Sequence, residues 1–420
     1  MSAPAGRLEL DVLVVGAGMV GAAAACLMAR AGFSVGVVES RAPEAFGGAG
    51  SWGLRVSAFS PGSQDVLTET GAWRQVEAQR HCAYRRMRVE DRDESAVLEF
   101  DAPEFGLERL GTVVENDLVQ WSLWQSLSAA GGVQLACPDA VETLALEAGG
   151  PLVGLRSGRQ IRCRLLIAAD GARSGIRERL GIAQEHWEYG QQGVVCVVQT
   201  ETPNPGVAWQ RFGEGGPLAF LPLQDGSSSI VWSRPAAQAR RLSELDDAAF
   251  MEELSAAAAG SESHWPGRVI GCGPRAAFPL TMRLSERYTA RGVALAGDAA
   301  HVVHPLAGQG VNLGLLDAAA LLEVAVEARS AGADFAGDKV LRKYDRWRRS
   351  EAELMARGIH AIRGLFLPAQ LGPLRRLGLG LVAGSWVARE AFLLRAAGRH
   401  RNAPALARGR PLTELLRSPA

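Results

Sequence analysis

Leu10-Asp11-Val12-Leu13-Val14-Val15-Gly16-Ala17-Gly18-Met19-Val20-Gly21 is a β-branched apolar run that stops abruptly at a glycine-rich turn. The Ala-rich, proline-free segment that continues to Arg30 has helical character. Gly32 is placed to end that helix, and Phe33 to Val38 forms a second apolar strand closing at Glu39. The stretch is therefore a βαβ unit carrying G-x-G-x-x-G, with an acidic residue about 20 positions further on. Each residue type has a physical reason. Gly16 permits the tight turn, Gly18 lets the backbone approach a diphosphate, and Gly21 lets the helix lie close to the sheet. The helix amides then face the phosphates. Glu39 accepts hydrogen bonds from a ribose, which favours an adenosine without a 2′-phosphate. The competing reading is a glycine turn with no ligand, and the complete strand, turn, helix, strand and acid weigh against it.

Outward from this unit, Met87 to Glu90 and Ala96 to Phe100 flank a charged turn and read as a β-hairpin. Thr112 to Leu127 has helical periodicity, and Leu165 to Ala169 is a continuous apolar strand suited to a sheet covered on both faces. Gly190 to Arg283 breaks into short β-rich stretches punctuated by Gly, Pro and Asp. Val293 starts one more apolar strand, followed by long helical segments. The expected fold is α/β, with a Rossmann-type, glutathione-reductase-like dinucleotide domain at 1–82, 110–182 and 285–345. An interleaved β-rich substrate domain occupies 83–109 and 183–284, and a helical C-terminal region 346–420. The last fifteen or so residues, with Pro404, Pro411 and Pro419, are expected to be loosely structured.

Composition narrows the function classes. The 420 residues carry 45 Lys plus Arg against 45 Asp plus Glu, and 47% are hydrophobic. That balance describes a globular protein and gives no reason to expect a nucleic-acid partner. The six cysteines are scattered, without C-x-x-C or metal-ligand spacing, so neither a metal site nor a redox disulfide is expected. No signal peptide is visible and no stretch reaches the roughly 20 apolar residues of a membrane span. A cytoplasmic location is expected, with peripheral contact at the inner membrane left open.

Two later segments decide which dinucleotide is bound. Leu166-Ile167-Ala168-Ala169-Asp170-Gly171 ends a buried strand in Asp-Gly, and Val293 to Ala296 ends another in Gly297-Asp298. With the opening glycine turn, these segments resemble the class A flavoprotein monooxygenases. Further stretches, Trp52 to Ala58, Val114 to Asn116, Gly216 to Leu223 and Gly297 through Gly314, are similar to the ubiquinone-biosynthesis hydroxylase branch of that family (the UbiH/UbiF/VisC type), over most of the chain. The last of these also has a reading of its own. Gly308, Gly310 and Gly314 give a backbone that can lie against a flat ring, and a helix starting near Val311 aims its positive end there.

The resemblance implies FAD as cofactor, NAD(P)H as cosubstrate, and ring hydroxylation by a flavin C4a-hydroperoxide formed from O2. It assigns Gly16, Gly18, Gly21 and Glu39 to the diphosphate and adenosine, and Arg55 and Gln120 to the ribityl and diphosphate. Asp170 and Asp298 come with the two strand ends. Pro305, Gly308, Gln309 and Gly310 form the flavin-ring environment, continued by Val311 and Asn312. Asp117, where relatives carry Arg or Asn, is excluded. The implied substrate is a polyprenyl phenol or benzoquinol, with a biosynthetic assembly or the membrane surface as partner. The Leu- and Arg-rich stretch Ile362 to Leu394 fits either a lipid interface or protein packing. His301 and His304 are expected only to hydrogen-bond backbone. Arg211, Phe212, Phe220 and Pro222 could roof a substrate pocket or simply pack the sheet. The alternatives are a hydroxylase of a small soluble aromatic acid, which would want an Arg pair in its pocket, and a non-catalytic flavin-binding subunit. A halogenase is disfavoured because no W-x-W-x-I-P segment occurs.

Overall fold

The computed structural model describes residues 8–48, 50–91, 97–259, 267–304, 310–366 and 385–417. Leu8–Val15 lies at the middle of five parallel strands in the order Gln134–Ala136, Val35–Val38, Leu8–Val15, Gln160–Ala168 and Val293–Leu295. Their near-continuous Val, Leu and Ala runs match burial on both faces. The helices Met19–Arg30, Asn116–Ala129 and Gly310–Ser330 pack together over the sheet. Register places Val15 level with Val38 and Ala168, and Ala168 level with Leu295. The carboxyl ends of four strands therefore finish along one line, the edge at which open α/β sheets hold ligands.

A second sheet runs His301–Val302, Ala276–Ser285, Gln184–Thr200, Ser228–Pro235, Gly216–Pro222, Val207–Gly213, Arg86–Glu90 and Val97–Asp101. All neighbours are antiparallel except Arg86–Glu90, which pairs in parallel with Val207–Gly213. Helices Ala236–Glu244 and Asp247–Ala258 cover one face, burying Val194, Cys196, Trp209, Leu218, Phe220 and Trp232 against Phe250. A short sheet of Val56–Phe59, Gly111–Glu115 and Cys82–Tyr84 accompanies the two large ones.

Three expectations change. Thr112 to Glu115 is strand, and the helix starts only at Asn116; the β-branched Thr112, Val113 and Val114 pack better on a pleated sheet. A single helix, Asp338–Phe366, runs through the 345/346 position at which the sequence reading divides the chain. The C-terminal tail is not loose. Ala403, Ala405, Leu406, Ala407, Leu412 and Leu415 belong to the main core. The Ala405 amide donates to Glu323 (2.7 Å), the Leu412 amide to Glu69 (3.2 Å) and Arg399 to Asp65 (2.6 Å). Pro411 sits just before the helix Leu412–Leu415, where its missing amide costs nothing.

Candidate active site

The glycine turn is built as its sequence requires. Gly16 has φ +95°, and a Cβ there would lie 2.4 Å from the Ala169 carbonyl oxygen. A Cβ on Gly21 would stand 1.9 Å from the Gly16 carbonyl oxygen, whereas one on Gly18 would meet nothing within 4 Å. Gly16 and Gly21 are thus needed for close backbone packing, and Gly18 leaves an open approach at the N-terminus of Met19–Arg30. No side chain caps that helix and no acid lies in its first turn, so its amides suit an external anion. Glu39, at the end of the neighbouring strand, accepts from the Ala17 amide at 2.6 Å and, through its other oxygen, from Ser40 and Arg41.

The three strand-end motifs converge. Asp170 follows directly on the Ala169 that packs against Gly16; one carboxylate oxygen accepts from the Ile176 amide (3.1 Å) and the other is buried without a hydrogen-bond partner among the described residues. A Cβ on Gly297 would lie 3.0 Å from Val20 Cγ2, and one on Gly314 2.5 Å from the same atom. Val20 stands inside the opening motif, so the first and last motifs touch. Arg177, which sequence reasoning missed, donates to the Ala299 carbonyl (3.1 Å) and the Ala172 carbonyl (3.3 Å), tying the Asp-Gly turn to the Gly-Asp turn. Ser174, whose hydroxyl accepts from the Arg177 amide as N-cap of Gly175–Arg179, is the one local sequence signal; a basic residue in a five-residue helix otherwise passes for surface.

Asp298 is open to solvent yet has protein on enough sides that burial raises its carboxyl pKa above the ordinary aspartate value, offset in part by His301 and Arg55. An exposed but partly desolvated carboxylate marks the wall of a recess. Arg55 also reaches the Phe278 ring, 5.4 Å from its centroid, and its carbonyl accepts from the Asn116 amide at the start of the helix that carries Gln120 one turn later. Arg55 and Asp298 are therefore close enough to interact, and Gln120 stands one turn into the helix whose start meets the Arg55 carbonyl. Gly310 and Val311 open the helix Gly310–Ser330. Pro305, Gly308 and Gln309 lie outside the described residues.

The Asn312 side chain is engaged by the chain itself. It is buried, accepting from the Ser60 amide (3.0 Å) and donating to the Ala58 carbonyl (2.9 Å), so it clamps the strand Val56–Phe59 to the helix. His301 differs from expectation: its Nε2 donates to the Asp317 carboxylate at 2.6 Å rather than to backbone. Phe220, proposed equally as pocket roof or packing, is packing; it lies in the helix-covered cluster with Trp209 at 5.5 Å between ring centroids.

The segment leading to Arg55 is held from two sides. Glu115 accepts from Arg80 Nε (2.6 Å), Arg80 Nη2 (2.9 Å) and the Gly53 amide (2.6 Å). Arg80 also donates to the Gly50 and Ser51 carbonyls and lies 4.5 Å from the Trp52 ring. The Trp52 indole donates to Asp225, in the turn between Gly216–Pro222 and Ser228–Pro235, at 2.8 Å.

The fold and these strand ends define a dinucleotide-binding flavoprotein. Residues 9–358 match the FAD binding domain family. The chain is 39% identical over 376 residues to 3-demethoxyubiquinol 3-hydroxylase of Escherichia coli K12, covering 89% of this chain and 94% of that one. It is 34% identical over 407 residues to the ubiquinone hydroxylase UbiL of Rhodospirillum rubrum, covering 96% and 93%. Among solved structures, p-nitrophenol 4-monooxygenase PnpA of Pseudomonas putida DLL-E4 shares the fold with a TM-score of 0.72 at 19% identity, covering 94% of this chain and all of that one (100%). A Klebsiella pneumoniae HpxO variant complexed with FAD does so at 0.70 and 19% identity, covering 94% and 99%. The chain belongs to the ubiquinone-biosynthesis hydroxylases, a branch of the class A FAD-dependent monooxygenases. FAD is its cofactor, and NAD(P)H is the donor typical of the family.

Proposed function

We propose that this enzyme hydroxylates the ring of a polyprenyl phenol or benzoquinol intermediate of ubiquinone synthesis, with NAD(P)H as donor and O2 as oxygen source. The observation that carries the reading is the face of the second sheet turned away from the two helices, where Val195, Ala219 and Val231 are only partly buried while Val197 and Leu221 pack against the cluster that holds Ala58, Tyr84 and Phe100. Side chains directly opposite one another on paired strands share a face. Val195 pairs with Val231, Val231 with Ala219, Val197 with Ser229, and Ser229 with Leu221. These residues form an uncharged strip, aliphatic except for the buried Ser229, on the side away from the two helices. Gly193, also on this face, pairs with Phe278, which carries the Arg55 guanidinium, so the strip borders Asp298. Arg234 of these strands, and Arg211 and Arg88 of the next two strands of the sheet, fall on the opposite parity, with Trp209, Leu218 and Trp232. A small aromatic acid would want paired arginines here; a prenylated ring wants an uncharged wall.

In this reading Gly16, Gly18, Gly21 and Glu39 hold the adenosine diphosphate of FAD. Arg55, Gln120, Asp170 and Asp298 lie along the chain leading to the ring, and the amides opening Gly310–Ser330 face the ring itself. Bound FAD supplies the two-electron chemistry that lets NAD(P)H and O2 oxygenate a substrate. The protein's own part is to orient the ring against the aliphatic strip, keep water from it, and place helix amides where negative charge develops. The test is complementation of a bacterial strain lacking 3-demethoxyubiquinol 3-hydroxylase, with identification of the quinones. Restored ubiquinone supports the reading. An unchanged quinone profile, from a yellow protein that oxidises NAD(P)H with a small phenolic acid, refutes it.

Peripheral attachment to a membrane is part of the same proposal. No helix among the described residues is long and apolar enough to cross a bilayer. The helix Trp386–Ala396, however, leaves Trp386 50% and Val387 72% exposed beside arginines, an arrangement that suits an interface. Flotation with anionic vesicles should be lost in Trp386→Ser/Val387→Asp; flotation equal to wild type would refute attachment through this helix.

A further inference from the structure

Beneath the Gly297–Asp298 turn lie three ionisable side chains with almost no access to water. Asp317 and Arg348 are 0% exposed and His301 1%. Asp317 Oδ1 accepts from Arg348 Nε at 2.7 Å, while Oδ2 accepts from the Gly297 amide at 3.0 Å and from His301 Nε2 at 2.6 Å. Arg348 Nη2 donates to the Leu313 carbonyl at 3.3 Å. Burial alone would push the Asp317 carboxyl up, but His301 and Arg348 hold it below the ordinary aspartate value. Buried ion pairs of this kind are commonly no more stabilising than apolar residues of similar volume, so stability alone does not account for the arrangement.

Its geometry does. One carboxylate grips the backbone where the strand Val293–Leu295 ends, and the guanidinium bonded to it grips the first turn of Gly310–Ser330. These are the two elements that present Asp298 and the helix amides to the same recess. Arg348 comes from a third element, Asp338–Phe366, so the grip is anchored outside the two elements it aligns.

We propose that His301, Asp317 and Arg348 form a positioning relay that sets the separation and aim of the Gly297–Asp298 turn and the Gly310 helix start toward FAD. None of the three touches the reacting atoms; they act through Gly297, Asp298 and Leu313. The inference rests on the reading that FAD lies against those two elements. Its consequence is that the relay governs how tightly FAD is held and how easily it is reduced, over and above what its buried charges do for stability.

The experiment compares Arg348→Met, Arg348→Lys, His301→Leu and His301→Gln with wild type. Three quantities are read: thermal stability of the apoprotein, FAD affinity by titration of the apoprotein, and the midpoint potential of the bound flavin. Arg348→Met, which also loses stability because it strands the buried Asp317 carboxylate, and His301→Leu should bind FAD about tenfold or more weakly and shift the potential. Arg348→Lys and His301→Gln, which keep a donor toward Asp317, should recover most of both. Folded variants with wild-type affinity and potential overturn the relay. So does a loss of apoprotein stability that tracks the loss of FAD and is not rescued by Lys or Gln, since that pattern is core packing. Should Arg348→Met fail to fold, His301→Leu, which leaves the Asp317–Arg348 pair intact, decides between these outcomes. The underlying reading fails separately, if wild-type apoprotein takes up no FAD.

Discussion

Val20, inside the opening glycine motif, lies so close to Gly314 that a Cβ on Gly314 would stand 2.5 Å from Val20 Cγ2. Two segments almost three hundred residues apart are thus in contact through one methyl group and one missing side chain. Gly314→Ala should destabilise the protein by about 1–3 kcal/mol through overpacking and weaken FAD binding. Val20→Ala in the same chain should restore part of both. Denaturant unfolding of the two single variants and the double variant measures the coupling, and additive effects would contradict the contact.

Asp298 predicts a pH dependence. Its folded-state pKa is raised, with burial the largest cause, so its contribution to stability is present at low pH and is lost as pH rises through that raised value. Asp298→Asn cannot ionise and escapes this loss. The apoprotein melting temperature of the variant should therefore gain on wild type as pH goes from the ordinary aspartate range to neutrality, while FAD affinity falls. A difference independent of pH would count against the recess.

The two faces of the second sheet should separate stability from catalysis. Phe220→Ala, on the helix-covered face, should cost about 3–5 kcal/mol and, in protein that remains folded, leave substrate preference unchanged. Val231→Phe, on the open strip, should leave FAD binding intact and depress turnover of a prenylated phenol more than that of a short-chain analogue. Steady-state kinetics on both substrates checks this.

Arg80→Met should release the segment that leads to Arg55. It leaves the buried Glu115 carboxylate without its bidentate partner, a change that costs about 3 kcal/mol for a buried pair. Faster proteolytic cleavage within residues 41–54 is the expected readout, with the rest of the chain protected as in wild type.

Truncation after Asn402 should damage the dinucleotide-binding half. It removes Leu406, Leu412 and Leu415 from the main core. Soluble protein with an unchanged melting temperature would refute this.

Local chemistry accounts for what was legible beforehand. The Leu10 to Glu39 unit obeys short-range rules, and the strand, turn and helix assigned there stand where the residues placed them. The Asp-Gly and Gly-Asp strand ends were recognisable only through the family resemblance they carry together with the opening glycine turn, since either pair alone is an ordinary turn signal. What sequence could not show depends on contacts between distant segments. Arg177 and Arg348 look like surface arginines until the carbonyls and carboxylate they meet are known. Asn312, in the first turn of the helix Gly310–Ser330, turned its side chain to Ala58 and Ser60. The tail misled because three prolines resemble disorder, whereas Pro411 introduces a helix and the small residues around it fill the core.

The parallel pairing of Arg86–Glu90 with Val207–Gly213 also bears on biosynthesis. The hairpin Arg86–Asp101 leaves the ribosome on the order of ten seconds before the strand it must join, and until then its hydrogen-bonding edge is bare. Slowing initiation or lowering the growth temperature should raise the yield of folded enzyme, because fewer nascent chains would be queued with that edge seeking a partner in one another.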